Sequence, residues 1–241
     1  MWRRAIVGVS LIVVGALSVP PAQAQDQAFG VTLGYFVLRS EDGRVAGDAL
    51  NANRCIDVTF ECEPLLFDVS DFNGGTIGAE WLYGIGDYFE VGAGIGFQQR
   101  TVPSVYEFLE ADDGSEIEQD LKLRMVPFTA TVRFVPTGRR SSFQPYIGAG
   151  LGIIAWRYTE TGSFVDVFTN DIFRASYVDS GTELVPVILG GLRAPIGDAF
   201  SIGGEVRWQR GDAALSEDVE FVGDRIDLGG VTYQAVFHFR F

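Results

Sequence analysis

The sequence holds one histidine, two cysteines and, past residue 24, no apolar run long enough for a membrane helix. Each shortage excludes something. A spanning helix needs roughly twenty apolar residues, so the rest of the chain cannot cross a bilayer in that form. A single histidine, His238, leaves little for a metal site or a conventional acid–base centre. The cysteines, Cys55 and Cys62 in "CIDVTFEC", have no histidine beside them and do not form a zinc framework. The glycine-rich "GAGIGF" (92–97) and "GAGLGI" (148–153) lack G-x-G-x-x-G spacing and sit on alternating segments rather than before a helix. "DDGSEIEQD" (112–120) is calcium-like in composition but does not follow an EF-hand loop. No cofactor or metal is expected. The formal charge of −14 speaks against a nucleic-acid partner. There is no Ser/Pro linker and no extended helical periodicity, so residues 25–241 read as one all-β domain.

What the chain does have begins at its start. "MWRR" is positive, residues 5–19 are apolar, and "PPAQA" is a small-residue exit. This is the layout of a secretory signal peptide over 1–24, with cleavage after Ala24. Export gives Cys55 and Cys62 an oxidising compartment, and a disulfide between them is expected. So short a loop stabilises by about 2.5 kcal/mol on the chain-entropy model.

The last residues, "VTYQAVFHFRF", alternate strictly. Val231, Tyr233, Ala235, Phe237, Phe239 and Phe241 share one face; Thr232, Gln234, Val236, His238 and Arg240 share the other. That is the period of a strand. The same pattern recurs in "YFEVGAGIGFQQRT", "PYIGAGLGIIA" and "AFSIGGEVRWQR". The second face mixes glycine with charge. That suits the interior of a membrane barrel, whose apolar face looks out to lipid and whose sheet must close to satisfy its backbone.

Eight strands are expected, near 28–39, 73–85, 88–101, 119–135, 143–157, 182–195, 199–210 and 226–241, as a closed antiparallel transmembrane meander. Strand-like alternation in "SFVDVF" and "LLFDVSD" keeps ten strands as an alternative. In 119–135, Leu121 and Leu123 fall off the face of Phe128 and Val132, which a bulge or a misplaced register would explain. Connections alternate between short ("GIGDY", "VPTGRRSS", "APIGDA") and long (40–72, 102–118, 159–181, 211–225). Short periplasmic turns, long outer loops and both termini periplasmic are the expected arrangement. Of the 32 acidic residues, 24 lie in 40–72, 102–120, 159–182 and 211–224, beside three arginines. Their repulsion keeps such loops soluble. Gathering divalent cations against anionic lipid sugars is the alternative.

Through "EVGAGIGF" (90–97), "PYIGAGLG" (145–152) and the aromatic finish Tyr233, Phe237, Phe239 and Phe241, the chain resembles the small eight-stranded outer-membrane β-barrel family. That family includes the transmembrane domain of OmpA and the opacity-type and OmpW-type proteins. The resemblance implies a monomer in the bacterial outer membrane among lipid and lipopolysaccharide. It also implies that the terminal aromatics are read by the barrel assembly machinery. Unlike full-length OmpA, no peptidoglycan-binding segment follows the last strand, which puts cell-wall tethering in doubt.

Eight-stranded barrels are filled by side chains. The inward candidates are Glu80, Glu90, Arg133, Glu205, Arg207, Arg240 and a rim histidine, His238. Enclosed ions must pair, so a lumen charge network acting as a plug is expected, with a structural or surface-interaction role and no catalysis. A narrow port for small apolar solutes is the alternative, favoured if the upper interior is apolar; Ile188 and Leu192 fall on the expected inner face of the sixth strand, which keeps that reading open. A lipid-modifying enzyme is the remote alternative, resting on a contact between His238 and Ser201 with no third member in view.

Overall fold

The computed structural model describes residues 27–55, 64–166, 169–219 and 221–241; the expected signal peptide over 1–24 and Cys62 lie outside the described residues. Eight long strands are present: β1 (Gln27–Leu38), β2 (Gly74–Ile85), β3 (Phe89–Glu110), β4 (Glu116–Phe134), β5 (Gln144–Val165), β6 (Ile172–Ile196), β7 (Phe200–Gln209) and β8 (Gly230–Arg240). Each pairs antiparallel with its chain neighbours, and β8 returns to β1 from Ala28↔Arg240 to Leu38↔Gly230. The sheet is therefore a closed meander of eight strands, without the exposed edge that lipid forbids. The alternation that suggested ten strands goes elsewhere. Residues 163–165 extend β5, while Leu65–Leu66 pair briefly with Tyr106 and Val105 of β3.

One end of the barrel is closed by tight turns. The repeated "IGD" places Gly86 at φ 63° and Gly197 at φ 66°, a conformation that glycine adopts without a Cβ clash. The same local solution thus serves two hairpins. At the other end β3 to β6 run well past their expected ends, so the loop segments 102–118 and 159–181 shrink largely to hairpin tips.

Outward residues settle where the lipid lies. Ile95, Phe128, Ile153 and Leu184 form one rung across β3–β6, with Val91, Val132, Ala149 and Ile188 below it. These apolar rungs end near Val126 and Ala155. On β5 the apolar stretch runs from Ile147 to Ala155, in line with the ~9–11 residues a tilted strand needs to cross hydrocarbon.

Above the belt both faces exchange character. On β4 the odd residues point inward throughout: Arg133, Thr131 and Thr129, then Met125, Leu123, Leu121 and Ile117, all buried. The even residues read Phe134, Val132 and Phe128 and then Arg124, Lys122, Asp120 and Glu118. The expected bulge is absent here; the β3–β4 register shifts only between Val105 and Glu110. What changes is the solvent outside. Against hydrocarbon the apolar set faces out; against water the hydrophobic effect turns it in.

This upper interior is a packed core. The connection between β1 and β2 folds down into the mouth, bringing a helical turn (Ala49–Ala52) and a 3-10 turn (Val69–Phe72). Leu50 and Phe72 pack with Leu121, Met125, Ile154 and Val187, each buried. At ~1.5–3 kcal/mol per fully buried large side chain, these contacts hold the mouth segment in place. Asp48 caps the turn by accepting from the Asn51 amide. Arg44 Nη2 donates to Asp48 Oδ1 at 2.9 Å, and the Asp227 amide donates to the same oxygen at 2.7 Å. The first long connection is thereby tied to the last.

The assignment of Ile188 and Leu192 to the inner face is corrected. They are 49% and 51% exposed on the lipid side, and Val185, Val187, Leu189 and Arg193 face inward. Because this part of β6 has apolar residues on both faces, alternation carries no information about parity.

Candidate functional site: the ion-filled lumen

Within the belt the barrel interior is occupied by charge. Glu80 on β2 receives Arg133 of β4 at two points, Nη1 to Oε1 at 3.1 Å and Nη2 to Oε2 at 2.6 Å. Arg133 Nη2 also lies 3.0 Å from Glu205 Oε2 on β7. Glu205 Oε1 accepts from Arg207 Nη2 at 2.8 Å and from Gln234 Nε2 at 2.8 Å. The Tyr146 hydroxyl on β5 donates to Glu205 Oε2 at 3.1 Å, and the Arg133 guanidinium stands 5.1 Å from the Tyr146 ring centroid. Two carboxylates and two guanidiniums balance. Isolated burial of any one would cost several kcal/mol, and the two-point Arg–carboxylate geometry is the strongest form of pairing available.

His238 joins this group. It is 1% exposed, with Nε2 2.8 Å from Glu80 Oε1, so the expectation of a solvated rim histidine is corrected. Two features enclose it. Gly30, its partner across β1, has no side chain; a Cβ there would lie 2.6 Å from His238 Cδ2. Beneath it a second tier closes the turn end.

That second tier is built on Glu90. Glu90 lies opposite Arg133 in the β3–β4 register but accepts from Arg193 Nη2 of β6 at 2.6 Å. Arg193 Nε donates to Gln144 Oε1 at 2.8 Å, and Gln144 Nε2 donates to the Arg139 carbonyl at 2.6 Å. Arg240, expected in the network, sits half-buried at the rim and donates instead to the Asp198 carbonyl at 3.1 Å. Arg193 and Gln144 were not anticipated: one lies where the parity of β6 was unreadable, the other is uncharged.

A third polar group stands above the belt. Glu160 of β5 accepts from Asn53 Nδ2 at 2.6 Å and from the Tyr158 hydroxyl at 2.8 Å. No cation pairs with it among the described residues. Burial without a countercharge holds the Glu160 carboxyl above the usual carboxylate range, although both hydrogen bonds pull the other way. Burial, with Glu160 adjacent, also raises the Tyr158 phenol.

The arrangement leaves little space. Beside Glu80, Arg207 and Gln234 the free volume is about 30 Å³, room for a water molecule or two by the usual measure. Ser201 lies opposite His238 in the β7–β8 register as expected. Among the described residues, neither Ser201 Oγ nor His238 Nδ1 has a hydrogen-bond partner. Hydroxyl, imidazole and carboxylate thus follow one another across the wall, buried at 0%, 1% and 5% exposure. No group of three or more His, Cys, Asp or Glu residues that could hold a metal occurs among the described residues. Tyr233, Phe237, Phe239 and Phe241 all stand on the lipid face. Cys55 lies at φ 56° after the short helix, and its expected partner lies outside the described residues.

A closed antiparallel barrel with a lipid belt and a charged interior defines a membrane-spanning β-barrel protein. The chain belongs to the family of outer membrane protein β-barrel domains, whose model matches residues 9–234, and it is accordingly a protein of the bacterial outer membrane. No curated protein matches it. Among solved structures it is similar to the N-terminal β-barrel domain of Pseudomonas aeruginosa OprF, at 12% identity over 91% of this chain and 100% of that one, TM-score 0.39. It is also similar to Escherichia coli outer membrane protein W, at 14% identity over 91% and 100%, TM-score 0.40. A third is the outer membrane protease OmpT of Escherichia coli, at 11% identity over 91% and 98%, TM-score 0.47.

Proposed function

We propose that the chain is a non-conducting, non-catalytic outer-membrane barrel with a structural and surface-interaction role. The observation that carries this reading is a double seal. Paired charge fills the interior within the belt, and Leu50 and Phe72 fill the mouth above it. In this reading the signal peptide is removed after Ala24 and both termini face the periplasm. The acidic hairpins face outward, and a Cys55–Cys62 disulfide closes a short loop in the first long connection. The barrel works as a monomer, delivered by an assembly machinery that reads Tyr233, Phe237, Phe239 and Phe241.

The test is conductance of the refolded mature protein in a planar lipid bilayer. Wild type stays silent, and replacing both Arg133 and Glu205 by alanine opens stepwise conductance once the mouth segment is also removed. Discrete steps from the wild type would overturn the proposal. The port reading for small apolar solutes rests on one observation: the upper inner wall is apolar at Leu121, Leu123, Met125 and Ile154. That wall is covered by the folded mouth, so the port needs the mouth segment to leave. Uptake of an apolar dye by vesicles holding wild type, but not a variant with the mouth cross-linked to β5, would favour it.

A further inference from the structure

The chain contains one lysine and seventeen arginines. Most of the arginines that are described are spoken for, in the lumen or in the loop clamps. Lys122, Arg124 and Arg157 are not: among the described residues no carboxylate pairs with them and no side-chain hydrogen bond uses them. All three point outward on β4 and β5, in the first two rungs above the apolar belt. Arg124 lies directly opposite Arg157, and Lys122 opposite Thr159. Like charges facing each other across a strand pair are destabilising, and no carboxylate among the described residues pairs with either guanidinium. In a chain of formal charge −14 this cluster is out of keeping with its surroundings.

The groove around it has an order along the barrel axis. Val126 and Ala155 end the hydrocarbon belt, Arg124 and Arg157 come next with Gln99 and Ser180, and Lys122 follows with Thr101 and Thr159. Asp120, Thr161 and Ser176 stand on top. The groove measures about 530 Å³, well beyond one phosphate. Apolar wall, cations, then hydroxyls and an acceptor carboxylate match an amphiphile with acyl chains, phosphate and sugar in that sequence.

We infer that this face of β3–β6 binds the phosphate-bearing headgroup of an outer-leaflet glycolipid, with Arg124, Arg157 and Lys122 as its phosphate ligands. The guanidiniums offer forked donors to phosphate oxygens. Thr159, Thr161 and Gln99 meet the sugar, and Asp120 accepts from a sugar hydroxyl. The inference rests on the proposed orientation, which puts the hairpin end in the outer leaflet.

The test uses the refolded barrel in phosphatidylcholine nanodiscs titrated with a bis-phosphorylated diglucosamine lipid. Bound lipid is counted by native mass spectrometry. Parallel arms use the dephosphorylated glycolipid, phosphatidylglycerol and inorganic phosphate. Wild type should bind the phosphorylated glycolipid in preference to the other three. Replacing Lys122, Arg124 and Arg157 together by glutamine should weaken binding on the order of a hundredfold, while Arg210→Gln leaves it unchanged. Unchanged migration of the folded barrel on a cold gel shows that the triple variant folds, since none of the three side chains enters the lumen. Equal binding by the triple variant, or equal binding of phosphatidylglycerol, overturns the inference, as does displacement by millimolar phosphate. Orientation is read separately by labelling a cysteine placed at Asp113 in whole cells. If that label fails while the nanodisc result holds, the orientation is wrong: the phosphate site stands, and its assignment to the outer leaflet is overturned.

Discussion

Glu80 on β2 and Arg133 on β4 meet in a two-point bond at 2.6 and 3.1 Å across the inside of the barrel, past the intervening strand β3. The bond spans the interior rather than lining it. Removing Arg133 alone would leave Glu80 and Glu205 buried with too little positive charge. Arg133→Met is expected to destabilise the barrel by about 3–5 kcal/mol, and adding Glu80→Gln should restore part of that loss. Urea unfolding midpoints in micelles measure both; a double variant no better than the single one would show that the charges are not coupled.

Gly30 tests how tightly His238 is enclosed. A Cβ at that position lies 2.6 Å from His238 Cδ2 and 2.9 Å from Nε2. Gly30→Ala must therefore push the ring away from Glu80, at a cost of about 1–3 kcal/mol. The thermal unfolding midpoint should fall, and Gly30→Ala with His238→Ala should lose less than the two single changes summed.

The two seals are separable. Leu50→Ala removes a wholly buried side chain from the mouth, an expected local loss of about 2–5 kcal/mol. Amide exchange of residues 49–52 should accelerate, while bilayers stay silent because the ionic tier within the belt is untouched. Conductance in this variant alone would show that the charged tier does not close the lumen.

Glu160 makes the mouth sensitive to pH. Its folded carboxyl titrates above the usual carboxylate range, so the folded state holds a proton that the unfolded segment has released. Stability is then full below the ordinary carboxylate pKa and declines as pH rises through the folded value. The groups facing it, Asn53 and Tyr158, do not titrate in that window. Protease nicking of the 39–73 segment should accelerate as pH rises from acid toward neutral, and Glu160→Gln should flatten the profile.

Much of this was legible in the chain. Period-two alternation, alternating connection lengths and a charged inner face specify a barrel wherever lipid and lumen differ in polarity. Glu80, Glu90, Arg133, Glu205 and Arg207 declare themselves inward because each stands between lipid-facing neighbours. The signal fails where both sides are alike or exchanged. On β6 apolar residues line both faces, so Ile188 was placed inward and Arg193 missed. On β4 the inversion above Val126 imitates a bulge. His238 looked like a rim residue because only the fold reveals the tier of Arg193, Gln144 and Arg139 beneath it. The mouth was hidden for another reason: Leu50 and Phe72 lie in a connection without periodicity, and their burial depends on partners far away in sequence.

The exchange of faces on β3–β6 also makes the molecule a depth gauge. Displacing the barrel by one rung, roughly 5 Å along the axis, would drag Arg124 and Arg157 into hydrocarbon, or lift Val126 and Ala155 into water. An arginine costs about 2–4 kcal/mol at the midplane and little at the interface, so the penalty climbs steeply with each step. Tilt is opposed in the same way, because any lean submerges one side. The protein thus carries a fixed preference for membrane thickness on its outer wall, and a thicker bilayer must thin around it.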